Sequence, residues 1–254
     1  YISGLARAYA VTDDEATRQK ISRLVKGYGE TLDAKAKFFA DYRLPAYTYD
    51  KLSCGLIDAH EYAHDALALD VHERLTRAIV SYLPEKALSR AEQRSRAHKD
   101  TAYTWDETYT LPENLFLAYQ RSGKPLYLDM AKKFLEDDTY FNPLAEGNNV
   151  LPFEHAYSHV NAFSSAMQAY ITLGSEKHLR AAKNGFQMLQ NTQSFATGGW
   201  GPNEAFGEPG VGQLGDSLSQ THASFETPCG AYGHFKITRY LLRVTKDPAY
   251  GDSM

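Results

Sequence analysis

The chain has only two cysteines, Cys54 and Cys229, among its 254 residues. Two thiols cannot build the disulfide framework of a small secreted domain, and their scarcity fits a reducing compartment. No apolar run approaches the ~18 residues that a membrane-spanning helix needs. No block of like charges forms a tail. The net charge of -4 and pI near 6.2 argue against a phosphate-binding surface for nucleic acid. Clean alternation of apolar and polar residues never lasts more than a few positions, so strands should be scarce. What is present is a chain 43% hydrophobic, enough to bury one core, and residues 1–254 are expected to form a single domain. Its 18 Tyr and 12 Phe belong mostly to that core, although aromatic faces also suit a sugar site.

Neither end reads as a natural boundary. Tyr1 already stands inside an apolar helical pattern, and Tyr250–Met254 stops in or just before another helix. The chain is therefore expected to be part of a longer protein, truncated at both ends. The lack of a leader then says nothing about location.

A loose repeat organises the chain: an apolar-periodic helix, a short polar turn, a second helix. Five turns are visible, starting at Tyr9, Tyr62, Tyr119, Tyr170 and Leu242. The period is about fifty residues, longer than the roughly 30–47 of simple solenoids. It suits paired helices of about 15 residues; the last interval is stretched by the glycine-rich loop of residues 197–216. Leu111-Pro112-Glu113-Asn114 places Pro and an acid in a first turn, and Ser175 reads as the cap of a following helix. Repeated helical hairpins without a sheet form an open solenoid or close into a toroid. Six would close an (α/α)6 barrel, so the expected fold is an all-α (α/α)6 toroid with about five hairpins present.

The repeat also aligns candidate site residues. Asp50, His155, His159, Glu226 and Cys229 each lie eleven to sixteen residues before the turn of their own hairpin. Separate hairpins thus deliver polar and ligating side chains to one end, the mouth. Helix N-termini attract acids and caps in any case, which accounts for Asp50 and Glu113 but poorly for two histidines and a thiol. His60-Glu61-Tyr62-Ala63-His64 matches the H-E-x-x-H zinc-protease pattern, with Asp70 near a third-ligand position. Against it, Leu67 stands where the longer motif needs Gly, and both histidines fall at the turn end, opposite the mouth.

At the C-terminal segment a family comes into view. Glu226-Thr227-Pro228-Cys229-Gly230-Ala231-Tyr232, with Lys236, Thr238 and Arg239, resembles the Glu-Thr-Cys segment of glycoside hydrolase family 127, the β-L-arabinofuranosidases; family 146 carries a similar stretch. Thr197-Gly198-Gly199-Trp200 with Asn203-Glu204-Ala205-Phe206 is similar to that family's Gly-Gly loop and Gly-Glu-Ala-Phe motif. Tyr47–Lys51 with Gly55–Asp58, Pro112-Glu113-Asn114 and His155–His159 resemble its other substrate-side segments, so the likeness spans nearly the whole chain. The resemblance implies an (α/α)6 barrel and retaining hydrolysis by a cysteine nucleophile held on zinc. By motif match, Glu204 is the acid/base, Glu226 and Cys229 are zinc ligands, and Asp50, Glu113, His155 and His159 line the sugar pocket. The partner implied is a carbohydrate.

Three departures stand out. No adjacent cysteine pair is present, so the nucleophile and half the zinc set are expected beyond Met254, and this stretch alone is expected to be a poor hydrolase. Pro228 adds a residue between Glu226-Thr227 and Cys229; at i and i+3 the two ligands are still expected on one helix face, with Pro228 in its first turn. Asp50 stands where the family often has His, which hints at a different sugar.

Blander accounts exist for each residue. Cys229 could be a small buried side chain, Glu226 an acid favoured by a helix dipole, Glu204 a solvated loop residue. His222 and His234 read as caps or packing rather than ligands, and Cys54 reads as core. The alternatives to a zinc-dependent glycosidase are a metal-free helical-toroid enzyme, such as an unsaturated-uronide hydrolase or a sugar epimerase, and a non-catalytic carbohydrate-binding scaffold.

Overall fold

Each of the five anticipated turns closes on a left-handed residue in the computed structural model: Asp13, His64, Gly123, Gly174 and Lys246, with φ of 51°, 53°, 66°, 68° and 62°. A left-handed C-cap is the usual way to end a helix and turn the chain, because it lets a following amide satisfy an orphan carbonyl. Here Asp13, Gly123, Gly174 and Lys246 donate to the carbonyls of Tyr9, Tyr119, Tyr170 and Leu242. The structure describes residues 1–32, 39–40, 42–95, 97–98, 101–102, 106–220 and 226–254. His222 lies outside them.

The helices are α1 (Ile2–Thr12), α2 (Glu15–Thr31), α3 (Pro45–Ala63), α4 (Ala68–Ile79), α5 (Arg90–Ser95), α6 (Leu111–Ser122), α7 (Pro125–Lys133), α8 (Asn142–Ala145), α9 (Ala156–Leu173), α10 (Glu176–Thr192), α11 (Gln213–Gln220), α12 (Gly230–Thr245) and α13 (Ala249–Asp252). One antiparallel pair, Ala97–His98 with Thr101–Ala102, is the only sheet among the described residues. The hairpins are α1–α2, α3–α4, α6–α7, α9–α10 and α12–α13. The described residues form two compact units, Tyr1–Lys133 and Phe134–Met254.

In the first unit the leading helices of successive hairpins run parallel. Arg7 of α1 pairs with Asp58 of α3 at 2.8 Å, and Asn114 of α6 reaches Asp50 near the start of α3 while Arg121 reaches Glu61 near its end. The second helix of each hairpin returns: the Tyr49 hydroxyl meets Thr76, and Ser53 meets His72. Ala68, Val71, Leu75 and Ile79 of α4 make one buried stripe at helical spacing, with Glu73 and Arg77 paired on the other face. The start of α3 is fixed from far along the chain. One carboxylate oxygen of Asp106 accepts the amides of Ala46 and Tyr47 at 2.7 and 3.1 Å, the work of an N-cap done from sixty residues away.

In the second unit α9 is buried on almost every face from Ala156 to Ala169, as expected for a central helix rich in small residues. Helix α10 returns along it, and Gly185 allows the close approach: a Cβ there would stand 2.5 Å from the Phe163 ring. Helix α12 lies parallel to α9, with Lys236 donating to Asn161 at 2.7 Å and Gln168 donating to the Tyr240 hydroxyl at 3.0 Å.

Candidate active site

Because α9 and α12 are parallel neighbours, their N-termini lie at one end of the second unit, as the repeat requires of a mouth. His155 is the N-cap residue of α9. Its side chain does not cap the helix; Nδ1 pairs with Ser158 Oγ at 2.8 Å. Nε2 is thereby turned toward Glu204, whose Oε2 is 3.8 Å away. Backbone pairing holds the two segments together. Phe153 N–H donates to the Phe206 carbonyl at 2.9 Å, Phe206 N–H donates to the Glu154 carbonyl at 3.1 Å, and His155 bridges Ala205.

Glu204 sits in a strained turn. Gly201 has φ 76°, and the next residues with positive φ are Asn203 at 54° and Glu204 itself at 61°. Asn tolerates this region, but Glu does so at a cost of about 1–2 kcal/mol. Strain of this kind persists where surrounding bonds over-determine it, and the pairing with residues 153–155 supplies those bonds. The Glu204 carboxylate is presented outward, its side chain 57% exposed. One turn into α9, His159 is buried. Its Nδ1–H donates to the His155 carbonyl at 2.9 Å, and its Nε2 lies 3.4 Å from Glu154 Oε2. Tyr140 meets the His159 ring edge-on and donates its hydroxyl to the His159 carbonyl; complete burial pushes that phenol well above its ordinary range, so it stays a neutral donor.

The glycine loop and the segment before α12 are two halves of one packed structure. Thr227 is tied twice, its N–H to Trp200 O at 2.7 Å and its hydroxyl to Gly201 O at 2.5 Å. A Cβ at Gly201 would stand 2.6 Å from both Ala156 Cβ and Thr227 Oγ1, and one at Gly230 2.7 Å from the Trp200 ring. A Cβ at Gly199 would stand 2.0 Å from the Glu226 carboxyl carbon, while Thr197 donates to Glu226 Oε1 at 2.6 Å. Gly199 and Thr197 thus form a cradle for the Glu226 carboxylate. Beside it opens a cleft of about 590 Å³, walled by Trp200, Pro228, His234 and Phe235 among others. Burial lowers the His234 pKa, and the ring nitrogen Nε2 bonds Ser253 O, so this histidine packs the chain against α12.

One expectation is corrected. Glu226 and Cys229 do not share a helix face, because α12 begins at Gly230 and Cys229 is its N-cap residue. Pro228 therefore precedes the helix instead of occupying its first turn. The reason is local: the residue before a proline is disfavoured in the helical region, and Thr227 is held by its two bonds to the glycine loop. Glu226 lies in the bend ahead of that turn, and Cys229 is exposed at the helix entry.

The family model for the β-L-arabinofuranosidase, GH127 catalytic domain matches residues 1–254. The chain belongs to this family. Solved structures agree on the fold. A GH127 β-arabinofuranosidase superposes with a TM-score of 0.65 at 17% identity, over 99% of this chain and 42% of that one. A GH127 β-L-arabinofuranosidase from Geobacillus stearothermophilus T6 gives 0.67 at 14%, over 100% and 44%. A further glycoside hydrolase gives 0.68 at 15%, over 99% and 43%. The GH127 chain has the all-α fold of paired helices expected from the repeat, with five hairpins present, and it spans less than half the length of these structures. No curated protein matches it.

In the first unit of the GH127 chain, Asp50 is buried on α3. Its carboxylate accepts from Asn114 Nδ2 at 2.8 Å and pairs with Lys51 Nζ at 3.0 Å, and Lys51 in turn lies over the Tyr47 ring. Glu113 is buried beside Asn114 on α6. The H-E-x-x-H histidines do not form a helical pair, since His64 has left the helix with φ 53° and Glu61 is engaged by Arg121. A carboxylate and a thiol suit zinc, and Glu226 has a fixed cradle with Cys229 accessible at a helix entry. Among the described residues no group of three His, Cys, Asp or Glu is placed to hold a metal, so the set these two could begin needs further ligands. No helix among the described residues is long and apolar enough to cross a membrane.

Sequence reasoning missed Glu154, Thr197 and Asp106. Glu154 had a readable signal: an acid just before a helix start, with a histidine one turn inside. Thr197 stood in the quoted Gly-Gly loop without any cue to its partner, and Asp106 had no cue at all, because their partners lie 29 and 59–60 residues away.

Proposed function

We propose that the longer protein containing this GH127 domain is a retaining glycoside hydrolase acting on β-L-arabinofuranosides. The observation that carries the reading is the pairing of residues 153–155 with 204–206, which fixes His155 against Glu204 at the α9 entry. An acid/base carboxylate must meet the leaving oxygen at a defined place and hold a proton there. Glu204 is exposed enough to reach substrate and its backbone is locked. His155, oriented by Ser158, faces it at 3.8 Å, an ion-pair separation longer than a hydrogen bond. Glu154, half-buried, and His159, buried, hold the α9 entry in register; Asp50 and Glu113, in the first unit, enter this reading as sugar-binding residues by motif match alone.

Glu226 and Cys229 would hold a zinc ion, with the remaining ligands, including the cysteine nucleophile, supplied by parts of the protein outside residues 1–254. Zinc, when bound, keeps thiolate ligands deprotonated at neutral pH. The work of this chain is to present the Glu226 carboxylate in its cradle and the Cys229 thiol at the α12 entry.

The test is made on the full-length protein. It should contain about one zinc per chain, hydrolyse p-nitrophenyl β-L-arabinofuranoside in preference to the α-anomer, and release product with retained configuration by proton NMR. A zinc-free protein whose activity is unchanged by Cys229→Ser would refute the metal assignment. A lack of β-L-arabinofuranoside hydrolysis would refute the substrate class.

A further inference from the structure

A buried glutamine grips the segment that follows Glu204. Gln193 is the C-cap residue of α10 and is 1% exposed. Its side-chain amide engages both backbone groups of one residue. Oε1 accepts the Gly207 N–H at 2.9 Å, and Nε2 donates to the Gly207 carbonyl at 2.9 Å. Nε2 also donates to Thr192 Oγ1 at 3.3 Å. A primary amide carries a donor and an acceptor side by side, so it can pair with one residue as a neighbouring strand would. Consecutive residues of an extended segment offer their backbone groups to opposite edges. Phe206 exchanges its bonds with Phe153 and Glu154, and Gly207 exchanges its own with Gln193. Gln193 is itself anchored. Its N–H donates to Leu189 O at 3.0 Å, and the next residue, Ser194, bridges Trp200 of the glycine loop.

These bonds satisfy the buried Gly207 peptide groups. Their place in the chain gives them a second consequence. Gly207 stands three residues after Glu204, whose left-handed backbone is strained and persists only while the flanking chain is fixed. At the other end of that turn Thr227 holds Gly201. We propose that Gln193 is a positioning residue for Glu204: it fixes the Gly207 end of the acid's turn to α10, so that the carboxylate meets the leaving oxygen at one place. This inference rests on the reading of Glu204 as the proton donor. The pairing with residues 153–155 ties the turn to the start of α9, and Gln193 ties it to the end of α10. The acid is thereby set against both helices of one hairpin. Without the amide one of these ties is gone, and proton delivery is sensitive to displacements of about 1 Å.

The test uses the full-length protein and two substrates, a disaccharide joined by a β-L-arabinofuranosyl bond and β-L-arabinofuranosyl fluoride, whose leaving group needs no proton. The readout is the ratio of kcat/KM on the disaccharide to kcat/KM on the fluoride. Gln193→Met keeps the length of the side chain and removes both bonds to Gly207. It should lower the ratio by about fivefold or more, up to about 100-fold for a displacement of about 1 Å. Gln193→Asn keeps the amide on a stem one carbon shorter, which cannot reach both Gly207 groups. It should lower the ratio in the same way, and it decides the matter if the methionine variant fails to fold. A purely structural role would change both rates together, through the amount of folded protein, and leave the ratio alone. A fall in the ratio of less than about fivefold, whether both rates are kept or both are lost, would overturn the proposal. Glu204→Gln run alongside separates the two failures. An unchanged ratio in that variant defeats the reading beneath, whereas a ratio that falls in Glu204→Gln but not in the Gln193 variants defeats the positioning role alone.

Discussion

Gly199→Ala isolates the position of one carboxylate from the stability of the fold. The new methyl carbon would stand 2.0 Å from Glu226 Cδ and 2.3 and 2.5 Å from its oxygens. Ordinary carbon contacts begin near 3.5 Å, so the carboxylate must retreat by about 1.5 Å. It can do so, being the end of a flexible side chain, and Gly199 does not occupy a left-handed backbone that would itself resist alanine. The retreat breaks the 2.6 Å bond from Thr197, worth about 1 kcal/mol for a partly exposed pair. At roughly 2–4 °C per kcal/mol for a domain of this size, Tm should fall by about 4 °C at most. The effect on function should be far larger, because misplacing a reacting or ligating group by about 1 Å costs on the order of 100-fold. The assay is zinc content, kcat/KM on p-nitrophenyl β-L-arabinofuranoside, and calorimetric Tm, all on the full-length protein. Near-normal Tm with zinc and kcat/KM reduced at least tenfold is the expected pattern. Full zinc and full activity in Gly199→Ala would refute the argument that Glu226 must occupy its cradle.

Other consequences follow from the same contacts. Gly230→Ala drives a methyl into the buried Trp200 ring, which cannot retreat, so here stability should fall by about 1–3 kcal/mol in urea melts. Asp106→Ala removes the acceptor for two amides at the start of α3 and should cost about 1–2 kcal/mol, while Asp106→Asn recovers part of it. His72 is buried between Ser53 and Tyr127, and burial drives its pKa down to about 3. The unfolded chain takes up that proton near pH 6.5 and the native state does not. The native state is therefore fully favoured above pH 6.5 and loses up to about 1.4 kcal/mol per unit as pH falls toward 3. Unfolding free energies at pH 7 and 5 should differ by about 2 kcal/mol more in the wild type than in His72→Gln; equal slopes would show that His72 is not the group responsible.

Much of the architecture was legible because it rests on local rules. Each hairpin turn ends its helix within a few residues, so Tyr9, Tyr119, Tyr170 and Leu242 could be found as the last-turn carbonyls without knowing any partner. The parallel course of α9 and α12 followed from the repeat, whereas the approach of His155 to Glu204 depends on the pairing of residues 153–155 with 204–206, about fifty residues apart. What could not be read was long-range or conformational. The Asp106 cap on α3 and the Thr197 bond to Glu226 join residues far apart in sequence. The left-handed turn at Asn203 and Glu204 has only Gly201-Pro202 as a cue, and no propensity predicts a glutamate there. The helix start at Gly230 was misplaced because the proline was read as an N1 residue, when Thr227 was already committed to the glycine loop.

The central claim is that Glu204 delivers a proton to the leaving oxygen, and leaving-group dependence in Glu204→Gln tests it most directly. With an activated leaving group such as fluoride, the first step needs no protonation, so the rate of that step should change little. With the sugar leaving group of a disaccharide, it should fall by about 10²–10⁴-fold, the usual contribution of general acid catalysis. A variant that loses the same factor on both substrates, or loses nothing on the disaccharide, would contradict the assignment.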